Sequence, residues 1–253
     1  MQNMQPQQDH KQSIATDGFT ITNNVFTNQE IDAITAAIAA ANTTTPFFRQ
    51  TGDLFAIRRF LHEVPGVVPH VFNEKLIATI TNLFGQDYFV VKSIYFDKPG
   101  SSNWFVAWHQ DLTIAVDNKH EVDGFCNWTK KQGQFAVQPP AEMLADNFTI
   151  RIHLDDTDEN NGALKVIPGS HAKGICRPDK IGAGKENTCT VKKGGIMIMR
   201  PLLMHASGRT GNNKSRRVVH IEFSNSQLPQ PLQWSEAMQI KEAPKKLTTL
   251  YPG

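Results

Sequence analysis

The stretch Phe148-Thr149-Ile150-Arg151-Ile152-His153-Leu154 decides the fold class. Apolar residues at 148, 150, 152 and 154 alternate strictly with Thr149, Arg151 and His153. Successive side chains on a strand point to opposite faces, so the pattern is that of a half-buried strand. Asp155 to Gly162 reads as a turn closing on Asn161-Gly162, a hairpin signal, with Ala163 to Ile167 as the return strand. Gly195 to Arg200 is apolar and strand-like. Arg217 to Phe223 alternates again, with Val219, Ile221 and Phe223 set against Val218, His220 and Glu222. Upstream, Tyr88 to Phe96 is β-branched or aromatic and stops at Pro99-Gly100. Phe105 to Trp108 forms another short apolar run.

The first ninety residues have a different period. Thr27-Asn28-Gln29-Glu30 is a capping box, opening a helix through Ile31, Ile34 and Ile38 to about Ala41. Phe72 to Phe84 predicts a second helix, closed by Gly85. Leu54 to Leu61 fits either state. Residues 1–16 are Gln-rich and polar and read as a flexible tail, leaving residues 17–253 as a single domain. Residues 117–142 and 172–190 read as long polar loops, and 112–142 with 172–190 would form a lid over the site and choose its substrate. Helices followed by many short strands predict a mainly β fold with flanking helices, a sandwich or jelly roll.

The chain has 253 residues, 40% of them hydrophobic, enough for a substantial core. Its 26 basic and 24 acidic residues argue against a nucleic-acid partner. Cys126, Cys176 and Cys189 are scattered and lack CxxC spacing, which disfavours a disulfide framework and fits a reducing, cytoplasmic setting. No apolar run suggests a secretory leader or a membrane span.

Chemistry concentrates in three places. In Trp108-His109-Gln110-Asp111, strand alternation puts His109 and Asp111 on one face, as a metal-binding pair or as a polar pair at a strand end. His205 follows an apolar strand and precedes the small residues Ala206-Ser207-Gly208, where a third ligand would converge in a jelly roll. Two imidazoles and one carboxylate leave three metal positions open, which suits Fe(II) with a cosubstrate and O2. Arg216-Arg217 then opens a strand, and an anionic cosubstrate needs a fixed cation. Alternation admits only one of the two arginines to the pocket and does not choose between them.

These residues resemble the phytanoyl-CoA dioxygenase family. The resemblance is carried by Trp108-His109-Gln110-Asp111, His153-Leu154-Asp155-Asp156 with Glu159-Asn160-Asn161-Gly162-Ala163-Leu164, Ile167-Pro168-Gly169-Ser170-His171, His205-Ala206-Ser207-Gly208 and Arg216. It spans roughly residues 18–225. It implies a double-stranded β-helix, a cupin-like jelly roll. It also implies an Fe(II)- and 2-oxoglutarate-dependent dioxygenase that hydroxylates a C–H bond of a small molecule and releases succinate, with ascorbate as reductant in vitro. His109, Asp111 and His205 match its metal ligands. Arg216 and Ser207 match the residues on the distal carboxylate of 2-oxoglutarate, and Trp128 one that borders the cosubstrate. Lys92 matches a position that reaches cosubstrate or substrate. Retention of Asp111 favours hydroxylation over halogenation; desaturation and cyclisation remain open, as does a non-catalytic binding module on the same fold.

Lys92, Arg58 and Arg151 are the expected substrate-facing cations, for a small anionic or amide-bearing molecule rather than a nucleotide carrier. The expected assembly is a monomer or homodimer with no nucleic-acid or membrane partner. Asp156 to Asn160 is rejected as a calcium loop, because Asn161 stands where glycine is required. Gly182 to Glu186 lacks P-loop spacing. His153 reads as structural or as pocket wall, with a substrate role as the alternative, and His171 as a residue that orders its loop.

Overall fold

The computed structural model describes residues 7–41, 45–52, 55–102, 104–131, 133–180 and 185–240. Its helices are α1 (Gln7–Thr16), α2 (Asn28–Ala39), α3 (Phe60–Glu63), α4 (Val68–Val71), α5 (Glu74–Phe84) and α6 (Ala141–Asp146). The strands begin with β1 (Phe19–Thr22), β2 (Phe48–Gln50), β3 (Phe55–Arg58), β4 (Phe89–Lys98) and β5 (Val106–His109). They continue with β6 (Ile114–Val116), β7 (Cys126–Lys131), β8 (Gln134–Gln138), β9 (Phe148–His153) and β10 (Leu164–Val166). The last are β11 (Asn187–Cys189), β12 (Ile196–Met199), β13 (His205–Ser207), β14 (Arg216–Ser224) and β15 (Met238–Gln239).

The strands make an eight-stranded sheet, β1-β12-β9-β14-β4-β3-β2 with β15 on β4, and a four-stranded sheet, β11-β10-β13-β5. This is the double-stranded β-helix. The helical layer packs on one face of the larger sheet. Ile31, Ile34, Val71, Leu76 and Ile80 meet Phe148, Ile150, Ile152, Ile196, Ile198, Val219, Ile221 and Phe223 in one buried cluster. Fully burying an aliphatic or aromatic side chain of this size contributes roughly 1.5–3 kcal/mol, so this face carries much of the stability.

The other face of β9 departs from expectation. Thr149, Arg151 and His153 are buried too. The strand is covered on both sides, because its polar face looks at the second sheet and not at water. The polar alternation marks a lined interior between two sheets, and the same holds for Arg216, His220 and Glu222 on β14.

The Asn161-Gly162 hairpin does not form. β9 pairs with β12 and β14, while β10 pairs with β11 and β13 in the smaller sheet, so residues 154–163 cross between sheets. Asn161 is fully buried. Its side chain accepts from Asp158 N and donates to Asp156 O, both at 2.8 Å, which folds the segment into a compact loop.

The expected flexible tail is ordered over residues 7–16 as α1. Ile14 joins the main core and His10 Nδ1 meets Thr20 Oγ1 at 2.8 Å. These contacts, with His171 Nε2 3.2 Å from Ala15 O, dock a segment whose composition is polar. Residues 1–6 of that expectation lie outside the described residues. The second helix begins at Glu74, two residues later than its apolar pattern, because the Asn73 side chain caps Leu76 N at 2.8 Å. Residues 117–142 are not an irregular loop. They hold β7 and β8, which with β6 form a three-stranded antiparallel sheet, and the start of α6. Polar side chains at 129–131 hid that strand from hydropathy. No helix among the described residues is long and apolar enough to cross a membrane.

Candidate active site

His109 ends β5 and His205 begins β13, and the register places them opposite one another. Their rings lie 4.2 Å apart. His109 Nδ1 donates to Ala107 O at 2.8 Å, and His205 Nδ1 to Leu203 O at 2.9 Å. A carbonyl only accepts, so each Nδ1 carries a proton and each Nε2 is the ring nitrogen turned to the site. Both Nε2 atoms point at Asp111, 3.7 Å from Oδ1 and Oδ2 respectively. The donor atoms of His109, Asp111 and His205 all lie within 4.8 Å of one another. Burial lowers the pKa of His205 to about 4, outweighing the Asp111 carboxylate, so the imidazole is neutral at pH 7. Burial alone would raise Asp111; His205, His220, Lys92 and His109 together hold it at about 2. Two imidazole Nε2 atoms and one carboxylate converging in this way form a donor set that fits a divalent cation.

Gln110, between two of these residues, was passed over in the sequence. Its Nε2 donates to Leu202 O at 2.6 Å and Gly174 O at 2.8 Å, and its Oε1 accepts from Cys176 N at 2.8 Å. Asp111 N donates to Pro201 O at 2.9 Å. These bonds tie the first two residues of the triad to the segment carrying the third.

The triad lines a cavity of about 110 Å³ with Phe96, Trp104, Val106, Arg151, Leu164, Ser207, Arg216 and His220. Arg216 is 4% exposed. Its neighbour Arg217 faces the other way and makes a bidentate pair with Asp155, at 2.9 and 2.6 Å. That pair decides which arginine enters the pocket. Arg216 Nη1 donates to Gly162 O, and Ser207 Oγ donates to the same carbonyl at 3.0 Å. Arg216 Nε is buried with no partner among the described residues. Burial, helped by Arg151, lowers its pKa to about 9, which leaves it charged at neutral pH. A buried guanidinium with an unmade donor beside a hydroxyl is a seat for a carboxylate.

Gly162 sits at φ +84, and a Cβ there would meet Gly208 O and Lys98 Nζ, both at 2.8 Å. Gly162→Ala is therefore expected to cost roughly 1–3 kcal/mol, from left-handed backbone strain and overpacking. It should appear as a lower urea midpoint with unchanged m-value.

The other expected residues are spread. Lys92 pairs with Glu222 at 2.6 Å and is not in the cavity lining. Arg58, also outside the lining, has its pKa lowered by burial and by Arg49. Trp128 packs with Val137, Leu144 and Leu202 in a separate apolar cluster, away from the cavity. Arg151 does reach it. His220 and Glu222 were missed, although they share the parity of Arg216 along β14, the one signal that could have found them.

His153 is buried, with Nδ1 2.8 Å from Thr157 Oγ1. Burial, then Arg151 and Arg216, push its pKa well below the ordinary value. The unfolded chain takes up this proton near pH 6.5 and the folded chain does not. Stability should therefore fall as pH drops below about 6.5, and His153→Gln should flatten that slope. Urea midpoints of the metal-free protein at pH 5 and pH 7 measure it.

The sequence model of the phytanoyl-CoA dioxygenase (PhyH) family matches residues 14–218. The ectoine dioxygenase of Bordetella bronchiseptica is 23% identical over 175 residues, 66% of this chain and 50% of that protein. The chain spans about half the length of the curated relatives it matches. Among solved structures, EctD from S. alaskensis, with 2-oxoglutarate and 5-hydroxyectoine, superposes with a TM-score of 0.66. It is 17% identical, over 88% of this chain and 78% of that one. The non-heme alpha-ketoglutarate-dependent carbocyclase SnoK gives a TM-score of 0.61 at 13% identity, over 85% and 83%.

Proposed function

This chain belongs to the phytanoyl-CoA dioxygenase family, and from that premise we propose that it is an Fe(II)- and 2-oxoglutarate-dependent dioxygenase that hydroxylates a small molecule. The observation that carries this reading is the convergence of the His109, Asp111 and His205 donor atoms in a cavity that also holds Arg216. His109 Nε2, His205 Nε2 and an Asp111 oxygen would hold the metal. Fe(II) with 2-oxoglutarate and O2 supplies the oxidising power, and the cosubstrate leaves as succinate and CO2.

The remaining work belongs to this chain. The Ala107 and Leu203 carbonyls hold the two imidazoles in the tautomer that presents Nε2. Bonds of this kind at metal-ligating histidines are worth about 10–100-fold in metal affinity. Arg216 would take the distal carboxylate of 2-oxoglutarate through its unmade Nε–H, with Ser207 turning its hydroxyl from Gly162 O. Phe96, Trp104, Val106 and Leu164 would give the substrate an apolar wall.

The likeness to a carbocyclase keeps ring formation as an alternative outcome of the same site. The test is succinate release from 2-oxoglutarate with Fe(II) and ascorbate, alongside equilibrium binding of 2-oxoglutarate to metal-loaded protein. Binding together with turnover, coupled or uncoupled, is the expected result. Metal binding without 2-oxoglutarate binding would point to a non-catalytic module, and neither would sink the proposal.

A further inference from the structure

The metal and cosubstrate as placed in the proposed function leave one buried cation of the cavity unused. Arg151 is 7% exposed and lines the cavity. Its Nη1 donates to His220 Nδ1 at 3.1 Å. Its Nε is buried with no partner among the described residues. A guanidinium has donors only, so His220 Nδ1 must accept and the imidazole proton lies on Nε2. That proton is donated to Glu222 Oε1 at 3.1 Å, and Lys92 Nζ donates to the same oxygen at 2.6 Å. Register pairs Lys92 with Glu222 and His220 with Arg151. The chain Lys92–Glu222–His220–Arg151 thus crosses β4, β14 and β9 along the interior of the larger sheet. It ties the guanidinium by one nitrogen and leaves other donors for the cavity. A buried donor left unmade costs about 1–3 kcal/mol, a cost a ligand can relieve.

Charge points the same way. In the proposed function, on which this inference rests, Asp111 and the two carboxylates of 2-oxoglutarate balance a divalent metal and Arg216. Glu222 balances Lys92. Asp111 is the one cavity carboxylate that acts on Arg151 among the described residues, and once the proposed metal takes its charge the guanidinium is left unbalanced. Its pKa, lowered by burial to about 10, keeps it protonated at neutral pH. An uncompensated buried cation is strongly unfavourable. Phe96, Trp104, Val106 and Leu164 make the rest of the wall apolar.

We propose that Arg151 anchors a carboxylate of the substrate, and that the substrate is a small carboxylic acid with an apolar body. The His220–Glu222–Lys92 chain positions that anchor. Isobutyrate and its near-isosteric neutral partner isobutyramide are the probes. Each is titrated into the full chain loaded with Zn(II), a redox-inert stand-in for Fe(II), and 2-oxoglutarate, with ligand-observed NMR as the readout.

Isobutyrate is expected to bind saturably and at least about tenfold more tightly than isobutyramide, a factor set by one charged hydrogen bond. Arg151→Gln should erase that preference while its 2-oxoglutarate affinity stays within about threefold of wild type, since the distal carboxylate bonds to Arg216. His220→Asn should weaken the preference, which keeps a variant in hand if Arg151→Gln does not fold. Equal binding of the two probes, or no saturable binding of isobutyrate, overturns the proposal. So does a loss of more than about tenfold in 2-oxoglutarate affinity in Arg151→Gln, which would assign Arg151 to the cosubstrate. Failure of the wild-type chain to take up Zn(II) and 2-oxoglutarate is read at the loading step; it would remove the proposed function, and this inference with it.

Discussion

Asp111→Ala is expected to lose metal binding by at least about a hundredfold, beyond the 10–100-fold that removal of an outer-shell partner costs. Asp111 is the one anionic donor of the triad, and two neutral imidazoles alone bind a hard divalent cation weakly. The substitution also removes the carboxylate that faces His205, His220, Lys92 and His109. Mn(II) titration followed by electron paramagnetic resonance measures the change, with circular dichroism confirming that the fold persists. Wild-type affinity in this variant would remove the triad from consideration.

Arg216→Gln is expected to weaken 2-oxoglutarate binding by roughly a hundredfold while leaving metal affinity unchanged. A charge-assisted hydrogen bond contributes about 1.5–3 kcal/mol, and 1.4 kcal/mol is a factor of ten. Arg216→Lys should rescue only part of this, because an ammonium cannot reproduce the planar fork or reach both Gly162 O and a ligand. Calorimetric titration of 2-oxoglutarate into Mn(II)-loaded protein gives both numbers. A loss below about threefold in Arg216→Gln would show that the carboxylate seat lies elsewhere.

Much of this was legible before any coordinates. Alternation at 148–154 and 217–223 identified two strands of the larger sheet, and the capping box at Thr27 and Glu30 forms as read. The spacing of His109 and Asp111, with His205 following an apolar strand late in the β region, picked out three residues whose donor atoms converge. The tail misled because composition averages over ten residues, whereas docking of α1 rests on single contacts such as Ile14. Trp128 was placed by resemblance alone, and on β7 it packs into an apolar cluster outside the cavity lining.

By itself the sequence determined periods: which residues share a strand face, and which stretches turn as helices. Period 2 separates two faces but does not say what covers either. For β9 the apolar face meets the helices and the polar face meets a second sheet, and only the tertiary structure decided that both are buried. Alternation left Arg216 and Arg217 equal and the family resemblance favoured Arg216; the physical reason appears only in the tertiary structure, where Asp155 on the 154–163 crossover holds Arg217 away from the cavity. Asn161-Gly162 carried the local signal of a hairpin, yet its carbonyl became the floor under Arg216 and Ser207. The reason is one of range. Local signals act within a few residues, while these outcomes depend on strands paired across tens of residues of chain, where burial and charge are decided.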